Sequence, residues 1–121
     1  MEPKRKILHF LPRNTFSGAE NVVCQIIHLF RGEVDMYYCC PDGPIRQALE
    51  ERNIPFLPME RFDVAQVRRL IRREKPDLVQ AHDMLSSVVC AAACGKTPLV
   101  CHIHNNNFNS RKLNPKTLLF Y

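Results

Sequence analysis

The sequence predicts an α/β fold, in which an open parallel sheet carries helices on both of its faces. Short apolar runs of strand length alternate about five times with stretches whose apolar residues recur every three or four positions. The connections between them are short and contain Gly, Pro, Asn and Asp. The run at 98–103 is apolar on both faces, as a central parallel strand should be. Alternation of this kind is typical of βαβ units, whose strands lie parallel.

In the first half of the chain, apolar runs predict strands at 7–11, 34–40 and 54–58. The prolines of the third run are typical of an edge strand. Between these runs, apolar residues at helical spacing predict helices over 19–30 and 45–52. The small residue Gly32 and the turn residues from 41 to 44 then separate helix from strand.

The second half repeats the pattern. Asp63 is the expected N-cap of a helix that Lys75-Pro76 ends, and a strand follows at 77–82. The next helix is capped by Asp83 or by a following serine, and the strand at 98–103 and a helix opened by Asn114-Pro115 complete the pattern. We expect the apolar series of the helix before the fifth strand to face the sheet: Leu85, Val88, Val89, Ala92 and Ala93.

Composition is that of one globular domain, and we expect residues 1–121 to form a single unit. The chain is 45% hydrophobic and 24% charged, which argues against disorder. No apolar run approaches the roughly 18 residues of a membrane-spanning helix. The N-terminus leads directly into a strand without a separate signal-peptide segment, so we expect a cytoplasmic location.

The strand order that this pattern usually takes is 3-2-1-4-5, which makes the first and fourth strands neighbours. In open parallel sheets ligands bind beyond the carboxyl ends of the strands, near the point where the order reverses. That order would bring the loop 16–21, the pair His82-Asp83 and the pair His104-Asn105 to one crevice.

The junction of the first strand and helix has the features of an anion site. Ser17 can cap the helix through its hydroxyl, and Gly18 carries no side chain that would keep another molecule from the backbone. The unpaired amides of a first helical turn lie at the positive end of the helix dipole and favour a phosphate. A merely capped turn between strand and helix is the alternative.

The six cysteines fall within predicted strands and helices, so we expect reduced thiols in the core. A metal site is a minor alternative, since no Cys-x-x-Cys pair supports it. Its ligands would be Cys90, Cys94, Cys101 and His102.

The net charge of +5 allows anionic partners. Arg68, Arg69, Arg72 and Arg73 are expected on the helix face opposite the buried residues, where they could contact an anionic membrane or simply remain solvated. Basic residues do not alternate with aromatic residues and no nucleic-acid motif occurs, so no nucleic-acid partner is expected.

With these elements in place, the chain resembles the N-terminal half of a family 4-type glycosyltransferase of the two-domain GT-B architecture, a Rossmann-like fold. Ser17 to Glu20 is similar to the family's Gly-Gly-x-Glu loop, and the segment 41–55 resembles its turn, helix and Gly-Ile-Pro strand. Lys75 to His82 resembles the KPDxVhxH strand, and 100–105 resembles the end of the fifth strand. These features occur in the family's order over nearly the whole chain.

The chain also departs from the family pattern. Ser17 stands in place of the first glycine, Asn21 where many members have Arg, and His102 where Thr is usual. The donor-binding C-terminal domain, with its paired glutamates, has no counterpart in the sequence. We therefore expect a fragment or truncated product, inactive alone.

The resemblance implies roles for individual residues. His104 matches the family histidine that hydrogen-bonds a phosphate or the transferring sugar, and it is the candidate catalytic residue. Ser17, Gly18 and Glu20 would border the donor phosphates, with Glu20 orienting the loop or merely favouring the helix dipole. For His82 a structural hydrogen bond is at least as good an interpretation as ligand contact, and Asn105 completes the donor and acceptor site.

The reaction implied is transfer of a sugar from a nucleotide-diphosphate sugar to a glycan or a lipid-linked acceptor. The resemblance implies no metal and no tightly bound cofactor, and it allows peripheral contact at the inner face of the membrane. The alternative is a non-catalytic Rossmann-like module that holds a nucleotide or a glycan.

Overall fold

The structure is a computed structural model that describes residues 4–102. The predicted helix opened by Asn114-Pro115 and the residues after His102 of the fifth strand lie outside this range.

Nine elements follow one another in strict alternation within the described residues. The strands are β1 (Arg5–Phe10), β2 (Val34–Pro41), β3 (Phe56–Met59), β4 (Leu78–His82) and β5 (Leu99–His102). The helices are α1 (Gly18–Leu29), α2 (Ile45–Glu51), α3 (Val64–Glu74) and α4 (Met84–Ala93). The predicted types of all nine elements are confirmed, and only their ends move by one or two residues.

The five strands form one parallel sheet in the order β3-β2-β1-β4-β5, which confirms the predicted fold class and strand order. β1 is the central strand, and its last residue, Phe10, is paired with Cys39 of β2 and Ala81 of β4. Because all strands are parallel, their carboxyl ends share one edge of the sheet. The loops that follow β1, β2 and β4 therefore lie along that edge.

Each face of the sheet has its own apolar core because neighbouring strand residues point to opposite faces. On one face, Val23 and Ile27 of α1 and Leu49 of α2 pack with Tyr38 of β2. On the other face, the buried residues of α3 and α4 pack on alternate strand residues such as Leu8. The sheet is thus covered by α1 and α2 on one side and by α3 and α4 on the other.

The prediction for the buried face of α4 was only partly correct: Val89 and Ala93 pack on the core as predicted, but Leu85 and Val88 do not. Leu85 and Val88 are 57% and 61% exposed, whereas Ser86 and Ser87 are buried. The Ser86 hydroxyl donates to the Phe10 carbonyl oxygen at 2.8 Å, and the Ser87 hydroxyl donates to the Asp83 carbonyl oxygen at 2.7 Å. Small, hydrogen-bonded residues let the helix approach the sheet closely, so the larger apolar residues turn outward.

All six cysteines are free and buried, which confirms their prediction as reduced core residues. Within residues 4–102, no group of three or more His, Cys, Asp or Glu side chains could hold a metal ion. The alternative metal site at Cys90, Cys94, Cys101 and His102 therefore does not form. No helix in the same range is both long and apolar enough to cross a bilayer.

Candidate functional site

The start of α1 is fixed by a local hydrogen-bond arrangement. Ser17 is the N-cap residue, and Ser17 and Glu20 form a capping box. The Ser17 amide donates to the Glu20 carboxylate at 2.9 Å, and the Ser17 hydroxyl donates to the same oxygen. Glu20 is only 6% exposed, so its carboxylate is a buried support for the turn. The structure thus gives Glu20 the loop-orienting contact that the sequence left open.

The space around Gly18 is open. A Cβ atom added there would meet no heavy atom within 4 Å, and the φ angle of Gly18 is not in the left-handed region. The fold therefore does not itself require glycine at this position. As residues of the first turn, Gly18 and Ala19 have amides without an acceptor inside the helix. The arrangement can accept an anion that approaches the backbone closely.

The loop between β1 and α1 is attached to the start of α2. The Asn14 side-chain amide donates to the Asp42 carbonyl oxygen at 3.1 Å, and the Ile45 amide donates to the Asn14 carbonyl oxygen at 2.9 Å. A Cβ at Gly43 would overlap the Asn14 side chain, so a larger residue there would displace Asn14 from its present position. These contacts hold the loop against the carboxyl end of β2.

Three histidines from β1, β4 and β5 lie side by side behind the carboxyl edge. His9 Nδ1 and His82 Nε2 are 3.0 Å apart, within hydrogen-bond distance. The rings of His82 and His102 are stacked at 4.9 Å with an interplanar angle of 10°. Because His9 and His82 are 0% and 2% exposed, the arrangement favours the structural interpretation of His82.

His9 is held neutral in this cluster. Burial lowers its pKa from 6.5 to about 3, and the positive charge that His102 can carry lowers it further. Its second ring nitrogen, Nε2, faces the Met36 sulfur at 3.3 Å. The sequence suggested no role for His9, since neither hydropathy nor spacing reveals that its neighbours across the sheet are also histidines.

Asp83, directly after β4, has a backbone conformation that L residues seldom adopt, with φ 76° and ψ 175°. Its amide donates to the His102 carbonyl oxygen at 2.7 Å, and its carboxylate accepts from the Ser86 amide at 3.1 Å. These bonds offset a conformational cost of about 1–3 kcal/mol. The sequence indicated Asp83 as one of several possible caps and as a residue of the crevice, but its strained backbone has no signal in composition.

The four arginines of α3 are all exposed, as predicted, but they do not form one row. Arg69 and Arg73 line a pocket beside the carboxyl end of β3, whereas Arg68 and Arg72 line a groove between α3 and α4. Consecutive helical residues are about 100° apart, so the two i, i+4 pairs lie on different flanks of the helix.

His104 and Asn105 lie outside the described residues. The structure brings the Ser17–Glu20 junction and His82 to the same edge of the sheet, because β1 and β4 are adjacent and parallel. Convergence of His104 with Gly18 on one cleft stays a prediction.

A family model, Glycosyltransferase Family 4, matches residues 16–121. This match confirms the resemblance predicted from the loop and strand motifs. No curated protein sequence matches the chain.

Solved structures share the fold. Anabaena HepE, solved in complex with UDP-glucose, is 24% identical with a TM-score of 0.71, and the match covers 93% of this chain and 32% of HepE. A glycosyltransferase from Rickettsia africae is 15% identical with a TM-score of 0.69, covering 97% of this chain and 35% of that one. A UDP-N-acetylglucosamine 2-epimerase is 19% identical with a TM-score of 0.54, and the match covers 98% of this chain and 37% of the epimerase. The chain spans about a third of the length of each of these proteins.

Proposed function

Because the chain belongs to glycosyltransferase family 4, we propose that it is the N-terminal, acceptor-side domain of an enzyme that transfers a sugar from a nucleotide-diphosphate sugar. The acceptor is a glycan or a lipid-linked glycan, and the chain alone is inactive. A second domain supplies most of the donor contacts. The complex of HepE with UDP-glucose supports a nucleotide-sugar donor by analogy.

The observation that carries this proposal is the open space at Gly18. The glycine lies at the N-terminus of a 12-residue helix, at the edge where the carboxyl ends of β1 and β4 meet. The capping box fixes the direction of the first turn, so the Gly18 and Ala19 amides are already oriented before a ligand arrives. Preorganised amides of this kind stabilise an anion without further rearrangement.

The chemistry needs stabilisation of negative charge on the departing nucleotide diphosphate. Helix-end amides supply part of it, and His104 supplies a hydrogen bond to the diphosphate or to the transferring sugar. We propose that Asn105 and Ser17 border the same cleft. In this proposal the Glu20 carboxylate accepts from the Ser17 amide, and His82 stabilises the end of β4 through its contact with His9. Neither side chain contacts the donor directly.

The test is titration of the 121-residue chain with UDP- and GDP-sugars, followed by amide NMR and isothermal calorimetry. We expect saturable binding of at least one donor, with the largest shifts at the Gly18 and Ala19 amides. Gly18→Glu places a carboxylate at the phosphate position and should weaken binding by about tenfold or more, the loss expected for a hydrogen bond to a charged group.

Gln25→Glu is the matched control, since Gln25 is exposed on the same helix and gains the same charge two turns from the N-terminus. It should leave donor binding unchanged. Equal binding by the parent chain and Gly18→Glu would remove the physical basis of the proposal.

Catalysis is tested separately by release of nucleotide diphosphate in the presence of glycan acceptors. We expect none from the chain alone, and turnover by it would contradict the proposed dependence on a second domain. Donor binding that persists when a full-length protein shows no transfer would instead favour the non-catalytic binding module.

A second proposal concerns contact with an anionic membrane. A groove of about 460 Å³ lies between α3 and α4, and its charged lining residues, Arg68, Arg72, Lys75 and Lys96, are all cations. The Arg68 guanidinium donates to the Ala92 carbonyl oxygen at 3.1 Å, which joins the arginine flank of α3 to α4. The same layer exposes Leu85 and Val88. Cations beside exposed apolar side chains suit an anionic lipid surface.

Vesicle co-sedimentation tests this contact, with phosphatidylglycerol and phosphatidylcholine vesicles compared at low and high salt. At about 1 kcal/mol for each basic residue, Arg68→Gln with Arg72→Gln should weaken binding to the anionic vesicles about thirtyfold. Lys4→Gln with Arg5→Gln, the same charge change at the start of β1, should have a smaller effect. Equal losses in the two double variants would show that only net charge matters.

A further inference from the structure

A pocket of about 350 Å³ lies between α3 and the carboxyl ends of β2 and β3, apart from the Gly18 junction. Met59 and Leu70, which are 7% and 4% exposed, form its apolar floor. Gln66, Arg69 and Arg73 line one side, because residues three and four apart share a helix face. This volume is at the lower end of the range of about 300–1,000 Å³ for ligand pockets.

The pocket has a surplus of positive charge on the α3 side. Arg69 forms no ion pair with any residue of the described range. Arg73 contacts Glu74 at 3.0 Å, but Glu74 also pairs with Lys6 at 3.0 Å, so one carboxylate is shared between two cations. The guanidinium groups therefore retain N–H donors for an anionic ligand.

The opposite side of the pocket carries acceptors. Asp42 is occupied, since both its carboxylate oxygens bind the Arg46 guanidinium, at 2.9 and 2.7 Å. This ion pair holds the pKa of Asp42 below its usual range. Glu60 lines the same rim and makes no ion pair within residues 4–102. The pocket lining thus combines a carboxylate that can accept hydrogen bonds with two guanidinium groups that can donate them.

Helix electrostatics account for only one of the two pocket arginines. Arg73, like Arg72, lies in the last turn of α3, where cations complement the dipole. Arg69 lies in the middle of α3, where the dipole offers no such reason. Glu60 gives no advantage to a simple inorganic anion, which it repels, but it can accept hydrogen bonds from hydroxyl groups.

The pocket is connected to the Gly18 junction along the carboxyl edge. Asp42 lines the pocket, and its carbonyl oxygen accepts from Asn14 in the loop that precedes α1. The Asp42 amide also donates to the Met59 carbonyl oxygen at 3.1 Å, which ties the ends of β2 and β3 together. A ligand that extends along this edge can therefore reach from one site towards the other.

We infer that this pocket binds an anionic saccharide, with its carboxylate or phosphate on Arg69 and Arg73, its hydroxyls on Glu60 and Gln66, and a ring face on Met59 and Leu70. Within the proposed function, on which this second step rests, the saccharide is an acidic residue of the acceptor glycan. The binding itself does not depend on that function.

The experiment is an NMR titration of the 121-residue chain with four probes: a glucuronic-acid disaccharide, glucose 6-phosphate, a neutral glucose disaccharide and inorganic phosphate. We expect saturable binding of at least one of the two anionic saccharides, with shifts at Gln66 and Arg69. The neutral sugar and inorganic phosphate should each bind at least about tenfold more weakly, because each lacks one set of partners. The two anionic arms distinguish a sugar carboxylate from a sugar phosphate.

Arg69→Gln should weaken binding of the anionic saccharide about tenfold. Arg5→Gln, an equal charge change at an exposed residue at the start of β1, should leave it unchanged. Glu60→Gln should lower the preference for a saccharide over inorganic phosphate. Circular dichroism confirms that each variant is folded.

The inference is overturned if neither anionic saccharide binds, or if the neutral sugar or inorganic phosphate binds as tightly as the tighter-binding anionic saccharide. It is also overturned if Arg5→Gln lowers the affinity for the anionic saccharide as much as Arg69→Gln does. UDP-glucose is titrated into the same variants to separate this result from the transferase proposal. Donor binding lost in Gly18→Glu but kept in Arg69→Gln shows two separate sites. Saccharide binding without any donor binding removes the acceptor assignment and leaves the pocket in place.

Discussion

Acidification should destabilise this chain through His9. In the unfolded chain His9 titrates near 6.5, whereas burial in the folded chain lowers its pKa to about 3. Between these two values the unfolded state binds a proton that the folded state does not, so stability falls as the pH falls below 6.5. At pH 5 the difference in proton binding corresponds to about 2 kcal/mol, against almost none at pH 7.

The measurement is urea unfolding at pH 7 and pH 5, followed by far-UV circular dichroism, on the parent chain and on His9→Gln. Glutamine keeps a polar group near His82 but does not titrate. Whatever its stability at pH 7, the variant should therefore lose about 2 kcal/mol less than the parent on going to pH 5. His28→Gln, at an exposed position on α1, is the control and should behave like the parent.

An equal loss in His9→Gln and in the parent would refute the reasoning. It would mean that His9 is protonated in the folded chain or is reached by water, in contrast to its complete burial.

Three further changes are expected to alter stability. Glu20→Ala removes the acceptor of the Ser17 amide and should cost about 1–2 kcal/mol in urea unfolding, while Glu20→Gln, which keeps a carbonyl acceptor, should cost less. Gly43→Ala should cost about 1–3 kcal/mol by forcing Asn14 aside, and adding Asn14→Ala should recover part of the loss; full additivity of the two costs would contradict the proposed overlap. Tyr38→Phe should raise stability by about 1 kcal/mol in thermal unfolding, because the Tyr38 hydroxyl is buried without a hydrogen-bond partner among the described residues; a large destabilisation would reveal a bound water.

The sheet could be predicted because its determinants are local. Apolar runs of strand length and helical periodicity mark each element, and short connections leave few topologies open once crossovers are right-handed. The ends of elements are harder to predict; β3, for example, begins at Phe56, although the Pro55 carbonyl oxygen already accepts from the Tyr38 amide of β2.

The outward placement of Leu85 and Val88 on α4 could not be predicted from hydropathy. A hydropathy pattern ranks Leu85 and Val88 above Ser86 and Ser87, whereas close packing on a sheet favours small side chains that can satisfy their own hydroxyls. The partner of Ser86 is the carbonyl oxygen of Phe10, 76 residues away in sequence, so no local pattern contains it.

The candidate site was predictable only in part. The Ser17–Glu20 junction was predicted as a helix cap because its residues are local in sequence, and the structure adds that the two residues form a capping box. The histidine cluster depends on strand register: His82 is the partner of His102, and His9 is paired with Gln80, two residues before His82. Given the strand order, the contact between His82 and His102 could have been recognised, since both residues end adjacent strands. The contact between His9 and His82 could not, because the two residues are not register partners.

The central position of β1 also determines the order in which the sheet can close during synthesis. Hydrogen-bond partners on one side of β1 come from β2, which follows soon in the chain, but those on the other side begin only with Asp77, whose amide donates to the Lys6 carbonyl oxygen. While the ribosome makes the intervening segment, the emerging chain carries an unpaired, strongly apolar strand edge. The edge of β1 therefore stays open to self-association until β4 docks, and the edge of β4 until β5 follows.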